Sequence, residues 1–264
     1  MSSQMKPYSW ALVARMAQGQ RIVKYEGMWM HEERAKVLDF LRRQVFRIMD
    51  LPPELRHQIL RYLPANTTVT VYLAGRNGLP PSGVELPVTT RAGDKLLRQE
   101  TLMLTIEQTT FSIHSFVGNT SFQNWLQHVD LRLASDGYTN GFDAVKSLSF
   151  PFFSRFPHAI FPATQANSDI ELMLKCRNLE SVSMEWHFSE LASYDAATRH
   201  TSPKTVQQLC AQYRLDRMLG LRKLKKLVLV QFRGVGSIAL QHLAAWSRAN
   251  MAEVGGHACQ VTVQ

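Results

Sequence analysis

The sequence predicts an α/β protein in which strands and helices alternate around a largely parallel sheet. From residue 109 onward, short apolar or β-branched runs alternate with segments whose apolar residues recur at helical spacing. Three of these runs share the pattern apolar-x-x-apolar-x-apolar, beginning at Val145, Leu179 and Leu224. Of the 264 residues, 45% are hydrophobic and 19% are charged, which is enough apolar material for a buried core. Alternation of this kind favours right-handed crossovers between parallel strands.

The first 47 residues are predicted to form a basic helical segment, with nine Lys or Arg and four Asp or Glu. Within it, residues 31–46 place Val37, Leu38, Leu41 and Val45 at helical spacing. Acidic residues come early in this stretch and arginines late, which suits the helix dipole. Because four basic residues precede the first acidic one, a mitochondrial transit peptide is an alternative interpretation of the start of the chain.

A second helix is predicted to begin at Pro52. Asp50 can cap it, and prolines are tolerated in a first turn that needs no N–H bonds. Pro64 ends the helix. Its apolar residues form one stripe: Leu55, Ile59, Leu60 and Leu63.

The remaining elements follow from the period of the apolar residues and from turn residues. A β-branched strand is predicted over 68–73 and a turn-rich loop over 75–83. Further helices are predicted over 122–133, 170–174, 206–219 and 238–251. Further strands are predicted near 109–115, 145–150, 180–186, 225–232 and 259–263.

The segment Leu51-Pro52-Pro53-Glu54-Leu55 opens a helix that closes with Leu63 and Pro64, and this pattern resembles the first half of an F-box. The resemblance implies that the helix recruits the Skp adaptor of a cullin-based ubiquitin ligase by packing an apolar stripe against the adaptor's helices. The partner-binding residues that it implies are Leu51, Pro52, Leu55, Ile59, Leu60 and Leu63. A standard F-box continues into two more helices, whereas this chain continues into the predicted strand at 68–73.

A second stretch is similar to fungal F-box-like proteins, in which a helix with Leu-Leu-Arg and a nearby Glu leads into a strand with Thr-Phe. Here Leu96, Leu97, Arg98 and Glu100 are followed by Thr110-Phe111. The resemblance covers about residues 46–115. The apolar repeat further on resembles leucine-rich repeats, which often follow the F-box in substrate-recruiting proteins. Any α/β layer with buried strands explains that repeat equally well.

Three regions are therefore predicted: a basic segment over 1–47, an F-box-like region over 48–115 and a leucine-rich-repeat-like region over 116–264. The leading hypothesis is a non-catalytic adaptor that recruits a target protein to a ubiquitin ligase. The alternative is a basic structural or nucleic-acid-associated α/β protein, because the net charge is +9 and the excess of basic residues lies at the two ends, with a net +5 over residues 1–47 and +9 over 199–248. The candidate basic patch is Arg222, Lys223, Lys225 and Lys226.

Catalytic, metal and cofactor sites are not predicted. Gly234-x-Gly236-x-x-Ala239 has the local context of a dinucleotide-binding turn, but too few residues follow it for the further strand–helix units that such a site needs. His257-x-Cys259 lacks the second ligand pair of a metal site. Three widely spaced cysteines favour a reducing compartment, either the cytoplasm or the nucleus. The apolar runs are too short to span a membrane.

Overall fold

The structure, a computed structural model, divides into two compact units, Met1–Ile59 and Leu60–Gln264. It describes residues 12–15, 21–25, 28–32, 35, 48–62, 68–71, 79–81, 84, 86–91, 93–153, 167–195, 200–231, 238–256 and 258–264. The predicted boundary at 115/116 lies inside the second unit.

The first unit contains an antiparallel sheet of three strands in chain order: β1 (Leu12–Arg15), β2 (Arg21–Tyr25) and β3 (Met28–His31). The predicted helical segment over 1–47 is therefore wrong for these residues, which are strand. None of the three strands alternates apolar with polar residues, so the pattern that predicts a strand is missing from the sequence. Most of the helix predicted over 31–46 lies outside the described residues.

The second unit is built on a six-stranded sheet in which every strand pairing is parallel. Its strands are β4 (Thr68–Val71), β5 (Thr110–Ile113), β6 (Ser147–Phe150), β7 (Ser181–Trp186), β10 (Lys226–Gln231) and β11 (Gln260–Val263). They lie side by side in the order in which they occur in the chain. The α/β class and the parallel sheet are thus confirmed. Between β7 and β10 the chain forms an unpredicted antiparallel hairpin, β8 (Ala192–Asp195) and β9 (His200–Pro203).

The α-helices are α1 (Pro53–Leu60), α2 (Lys95–Gln108), α3 (Phe116–His128), α4 (Ser168–Lys175), α5 (Phe188–Leu191), α6 (Val206–Tyr213) and α7 (Ile238–Gly255). Short 3-10 turns cover Ile48–Asp50, Val88–Arg91, Gly141–Ala144 and Leu215–Gly220.

Local capping explains where two of these helices differ from the prediction. Helix α3 begins at Phe116 rather than at 122 because Ser115 Oγ accepts a 2.9 Å hydrogen bond from the Gly118 amide. Helix α6 ends at Tyr213 rather than at 219 because Arg214 adopts the left-handed conformation, with φ 60° and ψ 38°.

The core lies between one face of the six-stranded sheet and the helices. All positions of the apolar repeat that begins at Val145, Leu179 and Leu224 are buried. The Phe111 ring on β5 lies 4.6 Å from the Phe122 ring on α3. On β7, the Trp186 ring lies 5.2 Å from the Tyr213 ring on α6. The helices therefore cover the apolar face of the sheet.

Candidate partner-binding surfaces

Helix α1 is held in place by a proline-rich start and by one arginine. The amides of Leu55 and Arg56 both donate to the Pro52 carbonyl oxygen at 3.1 Å, which closes the first helical turn. Pro53 is the first helical residue, where the missing N–H has no consequence. The buried Arg56 side chain donates from Nη1 to the Leu51 carbonyl oxygen at 2.6 Å. This bond fixes the position of Leu51 against the helix that follows it.

The predicted partner-binding residues separate into exposed and buried positions. Leu55 is 45% exposed, and Pro52 is also exposed. Ile59 is half-buried and stands four residues after Leu55, so these two side chains lie on the same side of α1. Leu51, which precedes the helix, is also half-buried. An exposed leucine beside a half-buried isoleucine is a surface on which another helix can pack.

Two residues near the end of α1 behave differently from the prediction. Leu60 is fully buried, so it packs within the protein and is not available to a partner. Leu63 lies outside the described residues. Sequence reasoning also missed Tyr62, whose side chain is 90% exposed in the turn that follows the helix. The only signal for it was an aromatic residue just before the terminating proline.

The second surface is the face of the six-stranded sheet opposite the helices, and it is rich in hydroxyl groups. The strand register aligns its side chains in two rows that cross all six strands. One row is Thr68, Thr110, Ser147, Ser181, Lys226 and Gln260, and the next is Thr70, Ser112, Ser149, Ser183, Val228 and Thr262. We call this surface the hydroxyl face.

Most side chains of the hydroxyl face are half-buried or exposed, in contrast to the fully buried repeat positions on the other face. Parallel sheets in globular proteins are usually covered on both faces. In the described part of the chain, most side chains of the hydroxyl face keep some exposed surface, and their short length leaves room for a partner to approach the sheet. The sequence signal, which the prediction did not use, was serine or threonine at alternate positions of four strands.

Side chains of the hydroxyl face form hydrogen bonds both between strands and within one. Thr110 Oγ1 on β5 donates to Ser147 Oγ on β6 at 3.2 Å. Ser112 Oγ on β5 lies 3.0 Å from Nε2 of His114, which directly follows the same strand. Burial lowers the pKa of His114, which favours a neutral imidazole near pH 7. At the strand positions of this face, the charged groups are the exposed Lys226 and the half-buried Glu185. The face is therefore suited to hydrogen bonding rather than to attraction of a strongly charged ligand.

The predicted basic patch lies where β10 begins. Two of its four side chains form contacts with other residues of the protein. Lys225 Nζ forms a 2.7 Å ion pair with Glu180 Oε2. Lys223 Nζ donates to Asn178 Oδ1 at 2.6 Å. Within the described residues, the exposed side chains of Arg222 and Lys226 have no hydrogen bond or ion pair. Two cations of the four thus remain fully available to a ligand.

The groups that carry chemistry elsewhere in the described residues stand apart from one another. No three His, Cys, Asp or Glu side chains of the described part cluster as metal ligands would. Burial raises the pKa of the Cys210 thiol to about 11 and raises the pKa values of Cys176 and Cys259 as well, so these thiols stay protonated at neutral pH. The described residues do not include Gly234 and Gly236, which resemble a dinucleotide-binding turn in the sequence, or His257.

Among the helices that the structure describes, none has the length and apolar character needed to cross a membrane. Comparison of the chain with protein-family models, with curated proteins and with solved structures found no match.

Proposed function

We propose that this chain is a non-catalytic interaction protein, an F-box-like adaptor that recruits a target to a cullin-type ubiquitin ligase. The observation that carries the proposal is the exposure of Leu55 on helix α1, on the same side of the helix as the half-buried Ile59. If the helix served only the protein's own core, its central leucine would be buried. The proposal also rests on the resemblance of residues 51–64 to an F-box.

In this proposal the two surfaces have different tasks. The exposed side of α1 packs against the helices of a Skp-type adaptor, and apolar burial provides most of the binding free energy. The hydroxyl face binds the target, because its rows of serine and threonine can donate and accept hydrogen bonds. A ligase adaptor of this kind acts in the cytoplasm or the nucleus.

The test is the affinity of the full chain for a purified Skp-type adaptor, measured by biolayer interferometry. Leu55→Asp places a carboxylate where an apolar contact is proposed, and burying an uncompensated carboxylate costs several kcal/mol. We therefore expect adaptor binding to weaken by more than about tenfold. Gln58→Asp is the matched control, because it adds the same charge at an exposed position outside the stripe. Circular dichroism and thermal unfolding establish that both variants fold.

Two results would overturn the proposal. One is a wild-type chain that does not bind the adaptor. The other is a folded Leu55→Asp variant that binds as tightly as the wild type.

A second candidate function is binding of nucleic acid, which the exposed and unpaired Arg222 and Lys226 favour. Its test is fluorescence anisotropy with a random-sequence oligonucleotide at several salt concentrations. Changing Arg222, Lys223, Lys225 and Lys226 together to Gln should reduce the slope of log affinity against log salt, by up to about 0.9 for each phosphate of duplex DNA that the variant no longer neutralises. A wild-type chain that does not bind even at low salt eliminates this candidate.

A further inference from the structure

A cavity of about 200 Å³ opens at the edge of the sheet where strands β7 and β10 begin. It lies between the turn that leads into β7 and the turn that leads into β10. Leu174, Leu179 and Leu221 supply apolar walls. Its volume is below the roughly 300 Å³ at which pockets for drug-sized ligands begin, so it suits a small chemical group.

Three cations also line this cavity: Arg177, Arg222 and Lys223. All three side chains are exposed, and no Asp or Glu is among the lining residues. Within the described part of the chain, the guanidinium groups of Arg177 and Arg222 have no hydrogen-bond or ion-pair partner. Both therefore keep all five N–H donors available.

Lys223 is held in position by a short chain of hydrogen bonds. The Asn178 side chain donates from Nδ2 to the Asp143 carbonyl oxygen at 2.6 Å, and its Oδ1 accepts from Lys223 Nζ at 2.6 Å. A carbonyl oxygen only accepts and an ammonium only donates, so this arrangement fixes the orientation of the amide. Because Asn178 is neutral, it positions the lysine without cancelling its charge. Two of the three ammonium protons remain for a ligand.

Like charges around one opening repel each other, and a bound anion relieves that repulsion. Guanidinium groups bind phosphate through paired N–H donors, and lysine adds a compact positive charge. The leucine walls below the cations suit an apolar stem attached to the anion. We propose that this cavity binds a phosphate monoester carried on a short apolar or aromatic stem. The site is independent of the adaptor function proposed above.

The primary test is a titration of the isotope-labelled full chain with phenyl phosphate at low salt, followed by amide NMR chemical shifts. We expect saturable shifts at residues 174–179 and 220–223, and no such shifts with phenol, which has the ring without the charge. The absence of saturable shifts with phenyl phosphate, or equal shifts with phenol, would overturn the proposal.

Variants then separate this cavity from the general positive charge of the region. Arg177→Gln and Arg222→Gln should each weaken phenyl phosphate binding by about tenfold, because each removes a charge-assisted hydrogen bond. Both residues are exposed, so the variants keep the fold. Lys225→Gln is the matched control: it removes the same charge nearby, at a residue that is paired with Glu180 and does not line the cavity. Equal weakening by all three variants would contradict a specific site.

Competition experiments identify the source of the phosphate. One competitor is a short peptide with one phosphorylated tyrosine, and the other is inorganic phosphate. If the peptide displaces phenyl phosphate at the lower concentration, the site is assigned to phosphorylated proteins. Displacement by inorganic phosphate at the lower concentration assigns it to free small phosphates; both results support the site. The third competitor is a random-sequence oligonucleotide, with its concentration counted in phosphate groups. If it displaces phenyl phosphate at a lower concentration than the peptide and inorganic phosphate both require, the site binds phosphodiesters and the monoester assignment is overturned.

Discussion

The Asn119 side-chain amide on α3 donates a 2.6 Å hydrogen bond to Oδ1 of Asp169 on α4. Both side chains are buried, and Asp169 Oδ2 has no hydrogen-bond partner in the described residues. The bond continues outward, because Asn119 Oδ1 accepts from Gln123 and Gln123 Oε1 accepts from Lys175. A polar chain thus joins two helices through the core. Burial raises the pKa of Asp169 to about 7, against the influence of the Asn119 bond, which lowers it.

The raised pKa of Asp169 makes stability depend on pH. The folded protein keeps a proton on Asp169 that the unfolded chain has lost, so the free energy of unfolding falls as pH rises from about 4 to about 7. Asp169→Asn keeps an acceptor for Asn119 without the charge. We expect the free energy of unfolding of this variant, relative to that of the wild type, to be higher at pH 8 than at pH 4.5 by on the order of a few kcal/mol. Urea unfolding at the two pH values measures it.

Asp136→Asn is the control for this experiment, because Asp136 is exposed. If the difference in unfolding free energy between Asp169→Asn and the wild type is the same at both pH values, Asp169 does not hold a proton in the folded protein.

A close backbone contact requires glycine at position 141. A Cβ there would lie 2.8 Å from Leu126 Cδ2 and 3.0 Å from both the Cα and the carbonyl oxygen of Leu126. Backbone atoms of a helix cannot move aside cheaply, so Gly141→Ala should lower the free energy of unfolding by about 1–3 kcal/mol. Gly93→Ala, where a Cβ meets nothing within 4 Å, should cost less than about 0.5 kcal/mol. Equal losses in denaturant unfolding would contradict the contact.

Phe111 is the aromatic anchor between β5 and α3. It is fully buried, with the Phe122 and Trp125 rings 4.6 and 6.2 Å away. Phe111→Ala should therefore cost about 3–5 kcal/mol of unfolding free energy. Phe116→Ala, the same change at a residue that is 43% exposed, should cost much less. Calorimetric unfolding measures both, and similar losses would show that Phe111 does not anchor the sheet.

The hydroxyl of buried Tyr213 donates to Glu190 Oε2 at 2.6 Å and accepts from Gln212 Nε2 at 2.9 Å. Removing it by Tyr213→Phe leaves Glu190 without this donor, and we expect a loss of about 1–3 kcal/mol in unfolding free energy. Tyr62→Phe removes a hydroxyl from a side chain that is 90% exposed and should be neutral. Thermal unfolding of the two variants measures the difference in stability. An unchanged melting temperature for Tyr213→Phe would contradict the prediction.

The sheet was predictable because its apolar residues repeat where each strand enters the core. The patterns beginning at Val145, Leu179 and Leu224 mark three neighbouring strands, and all of their positions are buried. The end of α6 was not predictable, because apolar residues continue to 219 while the break depends on the left-handed backbone of Arg214. Strands β1 to β3 were missed because none of them alternates apolar with polar residues. The hairpin of β8 and β9 was missed because neither strand contains Val, Ile or Leu.

The candidate surfaces were predictable in part. Periodicity placed Leu55 and Leu60 in one apolar stripe, but it cannot tell which side of a short helix the rest of the protein covers. The structure buries Leu60 and exposes Leu55. The cavity beside Arg222 was hidden for another reason: Arg177 comes 45 residues earlier in the chain, and only the parallel pairing of β7 with β10 brings the two turns together.

Strand order that follows chain order makes the sheet modular. Each new strand pairs with the one before it, so an additional strand–helix unit could be appended after Val263 without re-threading any existing connection. The same arrangement leaves two outer strands, β4 and β11, each hydrogen-bonded to one neighbour in the six-stranded sheet. On β11 the Arg248 side chain already donates from Nη2 to the outward carbonyl oxygen of Val261 at 2.8 Å, so a strand from another molecule would add more readily along β4.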